Sequence, residues 1–307
     1  MPTIPFALRR RPPPEAIAWA EHVLGRRASV VSVRRLRGGT SAAVHLLRVQ
    51  GVPGVEWVVL RRFVRADWLA EEPDVAAREA RILDALDGCG LPVPRLLAVD
   101  EGGSDADVPA VLMTRVAGRL EMAPRDREAY VRALAAVLPA LHAVGAIDGM
   151  TSYRPWFRAR PFAPPAWSRR PELWRRADEL AREPAPPFTP TFIHRDYHPA
   201  NVLWTRGRLS GVTDWVNACN GPPGIDVAHC GVNLSVLFGI AVAEAFRHAY
   251  EAVAGVEQHP YWDLLDALDT GPPASGQWHD VGRHDLDAVL IRTRVEEYLD
   301  LLVRRLS

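Results

Sequence analysis

The chain has 307 residues, 48% of them hydrophobic and 24% charged, which gives enough interior for two modest domains or lobes. The formal net charge is zero, which argues against a general attraction to nucleic acid or to an anionic membrane. All 37 basic residues are Arg, so wherever an ammonium usually holds a ligand a guanidinium must do so here.

The N-terminal stretch "MPTIPFALRRRPPPEA" lacks the apolar run of a signal peptide. A short helix over 15–26 follows the proline run. "SVVSVRRL" (29–36) and "AAVHLLRV" (42–49) read as β-branched strands joined by "RGGTS", and "VEWVVLRRF" (55–63) as a third strand. "EPDVAAREARILDALDG" (72–88) carries Pro near its start and Gly at its end, the punctuation of a helix. "PVPRLLAVD" and "PAVLMTRVAG" supply two further strands. Five strands and one main helix form a first lobe over residues 1–115, and residues 116–307 form a mainly helical second lobe.

In that second lobe, 126–144 is a long helix candidate with Pro139 inside it. Residues 150–190, rich in Pro, Trp and Arg, read as an excursion on the substrate side with one helix at 171–183. A hairpin through "TRGRLSG" and helices from about 226 to the end complete the chain. "CGVNLSVLFGIAVAEAF" is interrupted by Asn233, Ser235 and Glu244, so it reads as a buried helix and not a membrane span. Residues 216–307 hold 13 acids against 6 Arg, a difference of seven negative charges. Solvated helix faces produce such an excess, and so does a surface suited to a cationic ligand. Cys89, Cys219 and Cys230 are odd in number and lack CxxC spacing, which argues against a disulfide framework or a zinc site and sets a reducing cytoplasm as the expectation.

The segment "FIHRDYHPANVLW" (192–204) places His194, Arg195, Asp196, His198 and Asn201 between two short apolar runs. Asn201 follows Asp196 by five residues, and Asp214, in "VTDWV", follows Asn201 by thirteen. Two oxygen ligands and a carboxylate base are what phosphoryl transfer to a hydroxyl requires. The metal needs hard oxygen donors, and the acceptor hydroxyl needs a carboxylate to orient it and take its proton. Asp196, Asn201 and Asp214 are of the residue types that such a transfer needs.

"HRDYHPAN" followed by "TDW" resembles the catalytic loop and metal-binding segment of the aminoglycoside phosphotransferase family, which has a protein-kinase-like fold and includes choline kinases. The resemblance implies an α+β, two-lobed fold with a small antiparallel sheet in the N-lobe. It makes four demands on the first lobe. A turn over the nucleotide phosphates falls at Gly38 and Gly39, with Thr40 and Ser41 as donors; taken alone, a Gly-Gly hairpin is an ordinary turn. A cation on the third strand falls to Arg61, sharing a strand face with Val59, while Arg62 points the other way. A carboxylate on the following helix is Glu79, in mid-stripe among Val75, Ile82, Leu83 and Leu86, where an unpaired charge is costly; Arg61 is its expected partner. A linker offering main chain to the base edge falls at Thr114–Val116.

Only "WVNACNGPPGI" separates Asp214 from Asp226, which leaves no room for a peptide-docking activation segment and favours a small-molecule acceptor. Asp226 matches the acid that follows the family's metal segment, with the structural work of holding the catalytic loop. The chain departs from the family pattern with Arg195 where Gly is usual, and it lacks the acid before the proline in "NGPPG". Arg195 is expected to pair with an acid and His198 to pack within its loop. Candidate acceptor contacts are Trp215, Asn217, Tyr261, Trp262, Asp263, Trp278, Glu296 and Glu297, acids and aromatics that suit an aminated sugar or a quaternary amine. The resemblance implies an ATP- or GTP-dependent, Mg²⁺-requiring O-phosphotransferase for an aminoglycoside-like or other antibiotic or metabolite hydroxyl. The same resemblance makes Asp196 the base and Asn201 and Asp214 the metal ligands, and a cytoplasmic protein with no nucleic acid, membrane or obligate protein partner is expected. The alternatives are a choline or amino-alcohol kinase and a catalytically silent nucleotide-binding protein.

Overall fold

The computed structural model describes residues 8, 10–36, 42–155, 158, 161–270 and 275–307, with side chains 270 and 275–277 excepted. The chain forms two compact units. The first comprises Met1–Arg119 with Ser210–Val216, and the second Leu120–Leu209 with Asn217–Ser307. The stretch that carries Asp214 thus belongs to the first unit, although it is remote from it in sequence.

In the first unit, α1 (Pro14–Leu24) opens with Pro in its first turn and ends at Gly25. The strands β1 (Ser29–Arg35), β2 (Ala43–Gln50), β3 (Trp57–Arg62), β4 (Leu96–Asp100) and β5 (Ala110–Thr114) form one sheet in the order β1-β2-β3-β5-β4. Every pairing is antiparallel. Alternation along β2, β3 and β5 delivers Leu47, Val49, Val58, Leu60, Ala110 and Leu112 to a core shared with Ala16, Trp19 and Ala20 of α1. Two helices lie between β3 and β4: the short α2 (Ala66–Glu71) and α3 (Val75–Ala85). The expected 72–88 helix is therefore shorter, because Pro73 stands where its first turn was drawn and Leu86 already makes the C-cap. The sequence reading missed α2, whose six residues are too few to show a period.

In the second unit, α4 (Arg127–His142) begins at Asp126, whose side chain accepts from the Ala129 N–H, and accommodates Pro139 in its last turn. Then come α5 (Pro171–Ala181), β6 (Thr191–Ile193), β7 (Val202–Thr205), β8 (Arg208–Val212), whose residues from Ser210 on belong to the first unit, and β9 (Cys219–Gly221). The chain ends in α6 (Gly224–Phe238), α7 (Ile240–Ala254), α8 (Pro260–Thr270), α9 (Ser275–Asp280) and α10 (Ala288–Leu306). Helix α6 is buried from Gly224 to Leu237 and packs against α7 and α8, so its apolar run is core. Among the described residues, no helix is long and apolar enough to cross a membrane. Strands β6 and β9 pair antiparallel, Ile193 opposite Cys219, so the loop after β6 leaves from a fixed edge.

Candidate active site

The loop after β6 is pinned from below. Asp226, wholly buried in the first turn of α6, accepts from the main-chain N–H of His194 at 2.9 Å and of Arg195 at 2.7 Å. His142 on α4 lies 3.2 Å from the same carboxylate. Tyr197 donates its hydroxyl to the Leu134 carbonyl at 2.9 Å, tying the loop to α4. Arg195 adopts φ 66, a left-handed conformation that a non-glycine residue holds only when its surroundings over-determine it. Its guanidinium donates to the Arg154 carbonyl at 2.6 Å and lies over the Tyr153 ring, 5.2 Å from the centroid.

That pinning presents Asp196 and Asn201 together. The Asn201 amide nitrogen donates to the Asp196 carbonyl at 2.9 Å and to its Oδ2 at 3.1 Å. The 3₁₀ turn Pro199–Asn201 makes this return possible within five residues. Asp196 Oδ1 meets His229 Nε2 at 3.1 Å and stands 3.7 Å from His198 Nε2. The other nitrogen of His229, Nδ1, lies 3.2 Å from both oxygens of Asp266 on α8. Burial opposes the charge of Asp196, but the His229 hydrogen bond and the neighbouring imidazoles outweigh it and hold the carboxyl well below the usual range. His229 is raised well above its ordinary value: burial lowers it, and Asp266 and Asp196 on either side more than compensate.

The first unit carries a separate cluster. Arg61 on β3 donates to Glu79 Oε1 at 2.8 Å, and the same nitrogen forms an ion pair with Asp214 Oδ1 at 2.7 Å. Arg61 and Glu79 are buried, and the side chain of Asp214 is 29% exposed. Burial pushes Glu79 up to about 7 against the pull of Arg61. Burial also works against the Arg61 charge, yet Asp214 and Glu79 hold its pKa above the ordinary value. Asp214 has φ 67, and the neighbouring Trp215 is buried with its indole N–H on the Val212 carbonyl at 3.0 Å. Arg62, on the opposite face of β3, reaches Asp107 at 2.6 Å.

Other expected positions divide. Gly38, Gly39, Thr40 and Ser41 lie outside the described residues. Thr114 ends β5 and spends its hydroxyl as acceptor for the Arg95 N–H at 2.8 Å; Val116 is half-buried two residues beyond. Most of the acceptor set lies in the packed interior, because the late helices turn their aromatic and acidic faces onto one another. Tyr261 and Trp262 are buried, and Tyr261 accepts from Arg158 at 3.0 Å. Asp263 accepts from Gln258 at 3.1 Å and from Tyr298 at 3.3 Å, and burial pushes it up to about 7. Trp278 is fully buried beside His198, and Glu296 accepts from Ser168 and from the Trp174 indole at 3.1 Å. Asn217 is half-buried and Glu297 exposed. The residues that the sequence reading passed over are His229 and Asp266. Asp226, His229 and Asn233 share one face of an otherwise apolar helix, and buried polar residues at that spacing were the available signal.

A search of curated proteins finds no match. Among solved structures, the chain is similar to a thermostable mutant of the aminoglycoside phosphotransferase APH(4)-Ia in complex with ADP and hygromycin B. The identity is 19%, covering 94% of this chain and 98% of that one, with a TM-score of 0.62. It is likewise similar to the macrolide 2'-phosphotransferase MphH of Brachybacterium faecium, with 20% identity, coverage of 94% and 98%, and a TM-score of 0.56. A streptomycin–ATP–APH(2")-IIa ternary complex matches at 14% identity, coverage of 92% and 95%, and a TM-score of 0.58. These likenesses show a shared, protein-kinase-like fold. Residues 32–268, well over half of the chain, match the model of the phosphotransferase enzyme family. The chain belongs to that family, whose members transfer phosphate to a hydroxyl group.

Proposed function

We propose that the protein transfers the γ-phosphate of ATP or GTP to a hydroxyl of a small antibiotic-like or metabolite acceptor. The observation that carries this reading is the Asp196–Asn201 pair, held by a loop whose main chain is tied to buried Asp226. In this reading Asp196 orients the acceptor hydroxyl and takes its proton. Asp214 and Asn201 are read as the residues that offer Mg²⁺ oxygen; a carboxylate and an amide oxygen are the hard donors that this ion accepts. When bound, Mg²⁺ neutralises charge on the transferring phosphoryl group. Arg61, fixed by Glu79, holds phosphate oxygens; Gly38, Gly39 and Ser41 are read as further phosphate contacts, and Thr114 and Val116 as main chain for the base. Phosphoryl transfer needs alignment and charge neutralisation more than covalent help, and these parts supply both.

The acceptor is not read as a polycation held by open carboxylates. Asp263 and Glu296 already accept from interior donors, and the side chains that meet Asp196 are two imidazoles and the Asn201 amide. Trp215, Tyr261, Trp262 and Trp278 support the site from within the core, which leaves Asn217 and Glu297 as the expected positions open to direct contact. A cytoplasmic location fits the cysteine usage. Thermal shifts with ATP, GTP and Mg²⁺ test the nucleotide half of the proposal. A Mg²⁺-dependent rise in melting temperature that Asp214→Asn loses is expected, and no shift with either nucleotide refutes it.

A further inference from the structure

The second unit assembles three further metal-binding atoms that no oxygen-seeking ion explains. Asp196 Oδ1, His198 Nε2 and His229 Nε2 are contributed by the loop after β6 and by α6, and ligand atoms of these residues all lie within 4.8 Å of one another. Two of the edges are 3.1 and 3.7 Å. A four-coordinate Zn²⁺ with bonds of about 2.0–2.2 Å places its ligand atoms roughly 3.3–3.5 Å apart, between those two values. The two imidazole rings are crossed at 77° with centroids 5.6 Å apart, so both edges can face one point.

The surroundings are those of a built site. Behind His229, Asp266 receives Nδ1 at 3.2 Å, the carboxylate–histidine arrangement that fixes a ligating ring and raises its basicity. Behind His198, the fully buried Trp278 packs edge-on at 6.1 Å and supplies an apolar wall. Both histidines are buried, whereas the Asp196 side chain is 27% exposed, so a fourth position opens to solvent. Imidazole nitrogens with one carboxylate favour zinc and its transition-metal neighbours over Mg²⁺, which prefers oxygen alone.

We propose that Asp196, His198 and His229, braced by Asp266, form a binding site for Zn²⁺ distinct from the Mg²⁺ ligands Asn201 and Asp214. On binding, the hydrogen that His229 Nε2 shares with Asp196 leaves to solvent, and Nδ1–H continues to donate to Asp266. The consequence rests on the reading of Asp196 as base: with Oδ1 on zinc, that carboxylate no longer receives an acceptor hydroxyl, and zinc acts as a reversible inhibitor. Sequence spacing gave no hint of this site because its ligands are not cysteines and one of them comes from a different element.

The test uses the full chain without nucleotide, Mg²⁺ or acceptor, titrated with Zn²⁺ against a chromophoric chelator. One Zn²⁺ per chain is expected. Asp266→Asn should weaken it by about 10–100-fold, as loss of an outer-shell partner does, and His198→Ala and His229→Ala by more. Asp214→Asn should leave it unchanged. Co²⁺ in place of Zn²⁺ should show the visible band of a four-coordinate site, lost in His198→Ala. Circular dichroism checks folding, and if His229→Ala does not fold, His198→Ala and the cobalt spectrum decide. No stoichiometric binding, equal affinity in the wild type and His198→Ala, or a loss in Asp214→Asn matching that in His198→Ala overturns the proposal. The assay involves no turnover, so its failure leaves the phosphotransferase reading standing.

Discussion

At the scale of single residues, the Arg61 guanidinium is shared by two carboxylates, one interior and one open to solvent. Glu79 compensates the buried cation while Asp214 keeps an exposed edge. Removing Glu79 leaves the buried guanidinium with only the part-exposed Asp214 to compensate it. Glu79→Ala should therefore lose about 3–5 kcal/mol of stability in urea unfolding, and nucleotide affinity should fall with it. Unchanged stability would mean that Arg61 is held by other groups. This pair was legible in the sequence, because helical spacing put Glu79 in mid-stripe and strand alternation selected Arg61 over Arg62. His229 and Asp266 were not. Their meeting depends on α6 packing against α8, a tertiary fact that local periodicity does not carry.

At the scale of elements, the start of α6 determines where Asp226 stands and hence where the catalytic loop is held. Gly224, its first residue, faces Trp262: a Cβ added there would come within 2.5 Å of that ring. Gly224→Ala should destabilise by about 1–3 kcal/mol through overpacking. Because Asp226 is two residues on, the cost should also appear as a lower kcat in the remaining folded enzyme. A melting temperature equal to that of the wild type would show that Trp262 yields freely. Helix α4, capped at Asp126, was readable to within two residues. By contrast, α2 and the two-residue-scale geometry around Arg195 and Asp214 were not. Positive φ at a non-glycine residue is imposed by surroundings, here Asp226 for one and Arg61 for the other, and leaves no mark in composition.

At the scale of the whole molecule, two buried carboxyls give a pH response whose sign can be worked out. Asp263 rises from 3.8 to about 7 and Glu79 from 4.5 to about 7, both through burial. Between the lower and upper values these two groups bind more protons in the folded state than in the unfolded one, so their contribution to stability falls as pH rises through that window and levels off above it. Asp263→Asn removes one of these groups while keeping an amide that can meet Gln258 and Tyr298. Its stability relative to the wild type should be greater at pH 8 than at pH 5, by on the order of 2–4 kcal/mol. Equal differences at the two pH values would show that Asp263 is ionised in the fold.

The sheet-then-helix order was legible because period-2 and period-3.6 segments fall in separate stretches of the chain. The assignment of Ser210–Val216 to the first unit was not, since it joins a sheet-bearing unit from the far side of the catalytic loop. The acceptor was also beyond reach, because most of the aromatic and acidic residues offered for it are spent on packing. The most direct measurement is turnover with Mg²⁺ and ATP or GTP on a panel of aminoglycosides, macrolides, nucleoside antibiotics and amino alcohols, comparing wild type with Asp196→Ala. The account predicts at least one acceptor carrying a new phosphate on a hydroxyl, and no product from Asp196→Ala even though its nucleotide affinity is nearly intact. Equal product from both proteins, or loss of nucleotide affinity in step with turnover, would contradict it.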